Sequence, residues 1–221
     1  MLNLFSVFDP YMGYLFLNWF SLMLYLLLFP QIYWFYNSRF FNLIKLILVG
    51  LWMEFKLIIY SKFNLMNLLL LISLFMFILY NNFMGLFPYI FTSSSHLMFS
   101  LFLSLSMWMG MMFFGWLKKT EHMFIHLVPM GTPFVLMFFM VLIESLSNLI
   151  RPLTLSIRLV ANMIAGHLLL TLLSSFIPSV LIMYVMFLLV QLLLLALEMA
   201  VSVIQSYVFV VLMILYLKET N

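Results

Sequence analysis

Five residues that can carry a charge or exchange a proton lie in stretches that are otherwise apolar. They are Glu144, Arg151, Arg158 and His167 in one stretch and Glu198 in the next. Glutamate and histidine can accept and release a proton near neutral pH, whereas arginine stays charged and cannot relay one. An arginine near a bilayer centre costs about 2.5–3.5 kcal/mol, which favours a functional role for Arg158. We interpret Arg158 as a fixed cation that separates two half-channels for protons.

The spacing of the polar residues predicts how they are arranged on two helices. Glu144, Arg151 and Arg158 are spaced by seven and share one helical stripe, and Asn162 lies one turn beyond Arg158. His167 is nine residues from Arg158, which places it about 180° away around an ideal helix. The next helix carries a matching polar stripe with the same spacing, formed by Gln191, Glu198 and Gln205.

The composition is that of an integral membrane protein. Of 221 residues, 67% are hydrophobic and only 7% are charged, and the mean hydropathy is +1.25. A net charge of +3 without a basic stripe excludes a nucleic-acid partner. The chain has no cysteine and no glycine-rich phosphate loop, so we expect no cofactor and no nucleotide chemistry on this chain.

Apolar runs and their breaks predict an all-α membrane domain that covers residues 1–221. A hydrocarbon core of about 30 Å needs about 20 apolar residues, and the last two runs are nearly twice as long. We therefore expect these two to be strongly tilted helices that form a hairpin, with a bend permitted at Pro152. The five predicted crossings are 11–29, 63–80, 96–117, 133–173 and 179–217. Residues 40–60 are predicted to form an interfacial amphipathic helix, with a short connecting loop as the alternative.

The distribution of basic residues predicts the orientation. With five crossings, every lysine and arginine except Arg151 and Arg158 lies on the inner side, and so does the C-terminus. Glu144 then lies toward the inner surface and His167 toward the outer one. Arg158 lies between them at middle depth.

Some of these polar residues also have purely structural interpretations. Glu144 and Arg151 could form an ion pair whose only role is to stabilise helix packing. Gln191 and Gln205 could make simple interhelical hydrogen bonds. A metal site is not expected. The triad of Glu121, His122 and His126 lacks the order of a zinc-protease motif, and we interpret it as solvated inner-loop residues.

Several motifs resemble subunit a of the F-type ATP synthases, in the animal mitochondrial form. They are VPMGTP, IRPLTLSIR, RLVANMIAGH and LEMAVSVIQSYVF, and the similarity extends from FSVFDP through NNFMGLFPY to the end of the chain. Val160 departs from the threonine of many relatives. Some relatives have glutamine in place of Arg151, so we leave Arg151 outside the core site.

The resemblance implies a proton-conducting stator subunit in the mitochondrial inner membrane, with its C-terminus on the matrix side. The implied partners are the ring of c subunits, other membrane-sector and peripheral-stalk subunits and the lipid bilayer. Arg158 would face the ring carboxylates. Glu198 and His167 would belong to the half-channel open to the intermembrane space, Glu144 to the matrix half-channel, and Asn162 and Gln205 to the polar surroundings of the arginine.

Two other functions compete with this one. A secondary transporter or a redox-linked proton pump subunit would also bury such groups, but a transporter of this size should show inverted repeats, which we do not find. A purely structural membrane scaffold leaves Arg158 and Glu198 unexplained.

Overall fold

Helices make up the regular structure of this protein. The computed structural model describes residues 4–11, 16–24, 26, 38–59, 65–128, 133–176 and 181–220. These residues contain helices and no strand. The prediction of an all-α protein is confirmed.

Six α-helices follow one another along the described chain. They are α1 (Arg39–Ile58), α2 (Leu65–Gly85), α3 (Leu97–Lys118), α4 (Thr120–Leu127), α5 (Phe134–Ser175) and α6 (Leu181–Glu219), and short 3-10 helices occupy Leu4–Phe8, Leu17–Met23 and Ser93–Ser95. By length and composition, α2, α3, α5 and α6 could each cross a membrane. Of the predicted crossing over residues 11–29, the structure describes residues 11, 16–24 and 26, where Leu17–Met23 forms a 3-10 helix, and the rest lies outside the described residues. A count of five crossings stays a prediction.

The helix α2 runs beyond the predicted end at Tyr80. It includes Asn81 and Asn82 and ends at Gly85. The side-chain amide of Asn81 donates to the carbonyl of Phe77 at 3.0 Å, so this polar group is satisfied within the helix. Both asparagines are buried, which shows that they belong to the bundle and not to a surface loop.

The segment after α3 also differs from the prediction. Residues 120–127 form α4, a short helix whose N-terminal turn carries Glu121, whereas the sequence indicated a loop. Glu121, His122 and His126 are exposed on it. The helix packs against α3 and α5, which explains why a segment without a strong helical pattern is ordered here.

The two longest helices carry the polar stripes. At 1.5 Å per residue, the 42 residues of α5 extend over about 63 Å and the 39 residues of α6 over about 58 Å. Both exceed the thickness of a hydrocarbon core, so tilt is required in a membrane. Pro152 is buried inside α5 without ending it, although its missing N–H leaves one carbonyl of the preceding turn without its helical donor.

The core lies where α2, α5 and α6 meet and where α1 covers them. The helix α2 packs against α6, α3 against α5, and α5 against α6. Fully buried residues from four helices share this core, among them Phe55, Leu68, Leu155, Leu159, Phe209 and Met213.

The helix α1 is attached to the bundle through one aromatic anchor. Phe55 is 0% exposed and stacks on Tyr207 of α6 with ring centroids 6.5 Å apart. The hydroxyl of Tyr207 donates to Glu54 at 3.3 Å. At the other end, Ser38 caps the helix by accepting from the backbone N–H of Phe41.

Replacing the anchor should release α1 from the bundle. A Phe55→Ala substitution leaves a cavity that costs about 3–5 kcal/mol in well-packed cores, which raises the population of the released helix by at least about a hundredfold. We expect tryptic cleavage within α1 of the assembled complex to accelerate by that factor. Leu57→Ala is the matched control because Leu57 is 76% exposed. Equal cleavage rates in the two variants would contradict the anchoring role.

Candidate functional site

Arg158 lies on the outside of the helix bundle. Its side chain is exposed, and within the described part of the chain it has neither a hydrogen bond nor a carboxylate within 4.0 Å. The surrounding surface of α5, which we call the Arg158 face, consists of the exposed residues Ile150, Thr154, Ile157, Arg158, Ala161, Asn162 and Ala165.

A hydrogen bond joins α5 to α6 one turn from Arg158. The side-chain amide of Asn162 donates to the side-chain oxygen of Gln205 at 3.0 Å. Gln205 is buried, whereas Asn162 remains exposed on the Arg158 face. The bond therefore fixes a polar group beside the arginine and holds the two long helices in register at this depth.

Glu198 is buried between α5 and α6 against a glycine. A side chain at Gly166 would place its Cβ 3.0 Å from both Cδ and Oε1 of Glu198, so only glycine leaves the carboxyl group its present position. Neither carboxyl oxygen has a hydrogen-bond partner among the described residues. Glu198, Gly166 and Asn162 line a cavity of about 210 Å³, which we call the Glu198 cavity.

His167 borders a second cavity further along α5. Its Nε2 is buried and has no hydrogen-bond partner in the described ranges. This space, the His167 cavity, measures about 320 Å³, and its polar lining includes Thr92, Thr171 and Gln191. Leu86 lines both cavities, so the two spaces are neighbours. A cavity of this volume with several polar walls can hold a short chain of water molecules.

Glu144 lies at the opposite end of α5 and is held by Arg151. The nearest atoms of the two side chains, Oε1 and Nη2, are 3.7 Å apart. Arg151 also donates to Glu219 at the end of α6 and lies over the ring of Tyr216, with its Cζ 5.4 Å from the ring centroid. Partly exposed pairs of this kind contribute about 0–1 kcal/mol each. The cluster therefore joins the middle of α5 to the C-terminal end of α6.

Comparison with known proteins identifies the protein family in which this arrangement occurs. The family model described as ATP synthase A chain matches residues 12–218. The chain is 56% identical to ATP synthase subunit a of Drosophila yakuba over 100% of both chains, and 53% identical to that of Locusta migratoria over 99% of both. ATP synthase subunit a of Aedes aegypti is 52% identical over 100% of both chains.

The chain belongs to the ATP synthase A chain family. The animal form of subunit a indicated by the sequence motifs is confirmed, because these relatives come from insects and match end to end. As a member of this family, the protein is a proton-conducting subunit of the membrane sector of an F-type ATP synthase and works in a complex with other subunits of that enzyme. Its apolar helices and its animal relatives make it a multi-pass protein of the mitochondrial inner membrane.

The structure brings some of the predicted site residues together and separates others. Asn162 is bonded to Gln205, and Glu198 lies against Gly166, the residue before His167. Glu144 is far from these groups, since 14 residues of helix, about 21 Å along the axis, separate it from Arg158. The described part of the chain thus offers two polar regions with Arg158 between them.

Two residues with clear roles were missing from the sequence interpretation. Glu219 is a second carboxylate on Arg151, and continuing the spacing of Gln191, Glu198 and Gln205 by two further heptads leads to it. Gly166 leaves the space that the Glu198 carboxyl group occupies, which we call the Glu198 seat. No pattern within one helix indicates such a seat, because the side chain that needs the space comes from another helix.

Filling the space at Gly166 should displace the carboxyl group of Glu198. In Gly166→Ala the new methyl group meets the flexible end of Glu198, so the helices can stay packed while the carboxyl group moves. Overpacking costs about 1–3 kcal/mol, and we expect passive proton flux through vesicles containing the membrane sector to fall by about tenfold. Gly110→Ala is the matched control, as nothing lies within 4 Å of a side chain there. Equal flux in both variants would refute the importance of this seat.

Proposed function

We propose that this chain provides two offset proton half-channels and a separating arginine, and that its Arg158 face packs against the rotating ring of c subunits. The observation that carries the proposal is the outward position of Arg158 in the middle of a long apolar helix. Within the described part of the chain, no carboxylate neutralises it. A cation in hydrocarbon needs a partner, and here that partner has to come from another subunit.

The surface around Arg158 supports the close approach of a second helix. Ala161 and Ala165 lie on the same exposed face. Small residues on a membrane helix let another backbone come near, which favours helix packing over lipid contact. A ring helix on this face would bring its carboxyl group beside Arg158.

The two cavities support a half-channel that opens to the intermembrane space. In the proposed sequence, a proton passes through the His167 cavity to Glu198, and the Glu198 carboxyl group then gives its proton to an ionised ring carboxylate. Glu198 is left ionised and takes up the next proton from the His167 side. The neighbouring positions of the cavities and the free atoms of both side chains suit this transfer.

On the other side of Arg158, Glu144 is proposed to line the half-channel that opens to the matrix. A ring carboxyl group that arrives there after nearly a full turn releases its proton past Glu144. Arg158 favours the ionised form of any carboxylate beside it and repels a proton that would pass directly between the half-channels. Its charge therefore forces the proton to travel with the ring.

The topology proposed for this function has five crossings and a matrix-side C-terminus. The basic residues outside the long helices then lie on the matrix side. The helix α1, amphipathic and anchored by Phe55, would lie in the matrix-side interface. Besides the c-subunit ring and the bilayer, we propose peripheral-stalk and other membrane-sector subunits as neighbours.

Removing the fixed cation should uncouple the ring from proton movement. In Arg158→Ala no charge separates the half-channels, so we expect ATP-driven proton pumping by the reconstituted enzyme to be abolished while the complex still assembles. Acidification of the vesicles is measured with a pH-sensitive dye. Arg39→Ala, at the exposed start of α1, serves as the control. Normal coupled pumping in the Arg158 variant would rule out the separating role.

Removing the proton-carrying acid should slow conduction without removing a polar side chain. Glu198→Gln keeps the shape but cannot exchange a proton, and proton-transfer groups contribute about 10²–10⁴-fold to rates. We expect passive flux through the membrane sector to fall by about 100-fold or more. Glu54→Gln is the control, because Glu54 is exposed and lies on α1. An unchanged flux would remove Glu198 from the path.

A further inference from the structure

The N-terminal 3-10 helix borders the His167 cavity. Leu4–Phe8 lies against α5, and Val7 forms part of the cavity wall. The ring of Phe8 meets the imidazole of His167 edge-on, with centroids 6.3 Å apart and planes at 86°. The N-terminal segment therefore contacts the first proton-carrying group of the proposed path.

A histidine at the start of α3 holds this segment in place. The Nε2 of His96 lies 2.9 Å from the backbone carbonyl of Phe8, and because a carbonyl can only accept, the nitrogen donates. The His96 ring also contacts Trp19 and Phe91, each with centroids 5.2 Å apart. Two aromatic contacts thus hold the His96 ring, and its hydrogen bond fixes a segment that is 88 residues away along the chain.

The orientation of His167 depends on what touches its ring. Rotation of an imidazole about its last torsion is broad and nearly two-fold, so packing decides which nitrogen faces the cavity. The Nε2 of His167 has no hydrogen-bond partner among the described residues that could fix it. Within the described part of the chain, the aromatic ring that contacts this imidazole is that of Phe8.

We propose that Val7 and Phe8 form a wall of the proton access route and that His96 is a positioning residue, which holds Phe8 against His167 and so keeps the imidazole aimed along the cavity. The proposal rests on the proposed function of His167. It assigns a role in proton uptake to residues that lie outside the proposed sequence of proton carriers.

The titratable groups around His167 come from several elements. Asp9 follows Phe8 in the N-terminal segment, and Tyr89 lines the cavity. His96 is bonded to the Phe8 carbonyl, and Glu198 of α6 lies against Gly166 of α5. The described lining of the cavity contains no lysine or arginine. Altered proton uptake in variants of Phe8 or His96 therefore has to act through these groups, chiefly through His167.

The test uses the whole enzyme reconstituted in vesicles. ATP synthesis is measured against the pH of the compartment that corresponds to the intermembrane space, at fixed membrane potential and fixed pH on the other side. Rates are divided by the amount of assembled enzyme. The variants are Phe8→Ala, His96→Leu and His96→Gln, with Phe5→Ala as the control because Phe5 lies on the same 3-10 helix and is 66% exposed.

In Phe8→Ala and His96→Leu, we expect half-maximal synthesis to require a proton concentration that is about three to ten times higher, as an aromatic pair shifts a local equilibrium by about that factor. The rate at saturating proton concentration is retained. His96→Gln should restore the original profile, because its amide can still donate to the Phe8 carbonyl. Phe5→Ala should leave the profile unchanged.

Three results would overturn the proposal: an unchanged profile in both Phe8→Ala and His96→Leu, a rate lowered in proportion at every pH, or a failure of His96→Gln to restore the profile. The Glu198→Gln variant is measured in parallel. If it loses conduction while the N-terminal variants behave normally, only the positioning role fails. If Glu198→Gln conducts normally, the proposed proton path itself fails.

Discussion

The constraint on which this structure depends is that a charge in hydrocarbon must be neutralised by a partner. Two arginines lie seven residues apart on α5 and meet this constraint differently. Arg151 is paired within the chain, by Glu144 and Glu219, whereas Arg158 points outward without an intrachain carboxylate in the described ranges. Pairing makes Arg151 a link between the middle of α5 and the end of α6, whereas we propose that the partner of Arg158 comes from another subunit.

The long helix α5 keeps the polar region around Glu144 apart from the one around Glu198 and His167, because both regions lie along one continuous helix. Glu144 and Arg158 are separated by about 21 Å along the continuous helix α5, so the two carboxylate regions lie at different depths along it. The hydrogen bond between Asn162 and Gln205 ties α5 to α6 beside the arginine. On the other side of that bond, Gly166 allows Glu198 to lie between the helices next to the His167 cavity.

Elements distant in the sequence complete the site. The 3-10 helix Leu4–Phe8 reaches His167 because His96 holds it, and α2 extends through its two asparagines to Gly85, beside the same cavity. The transporter alternative is not favoured, since the chain matches the ATP synthase A chain family over residues 12–218. A site that is open to a partner on one face is what a subunit of a larger machine requires.

The sequence by itself determined the membrane class, the helical fold, the family and the stripes on α5 and α6, because hydrophobic runs and seven-residue spacings fix positions around a single helix axis. It could not determine which stripe faces inward, that Glu219 would join Arg151, or that residues 81–85 and 120–127 would be helical. Those features depend on contacts between elements that are far apart in the chain. Only the tertiary structure places Gly166 under Glu198 and Phe8 against His167, since each contact needs a side chain from one element and a space left by another.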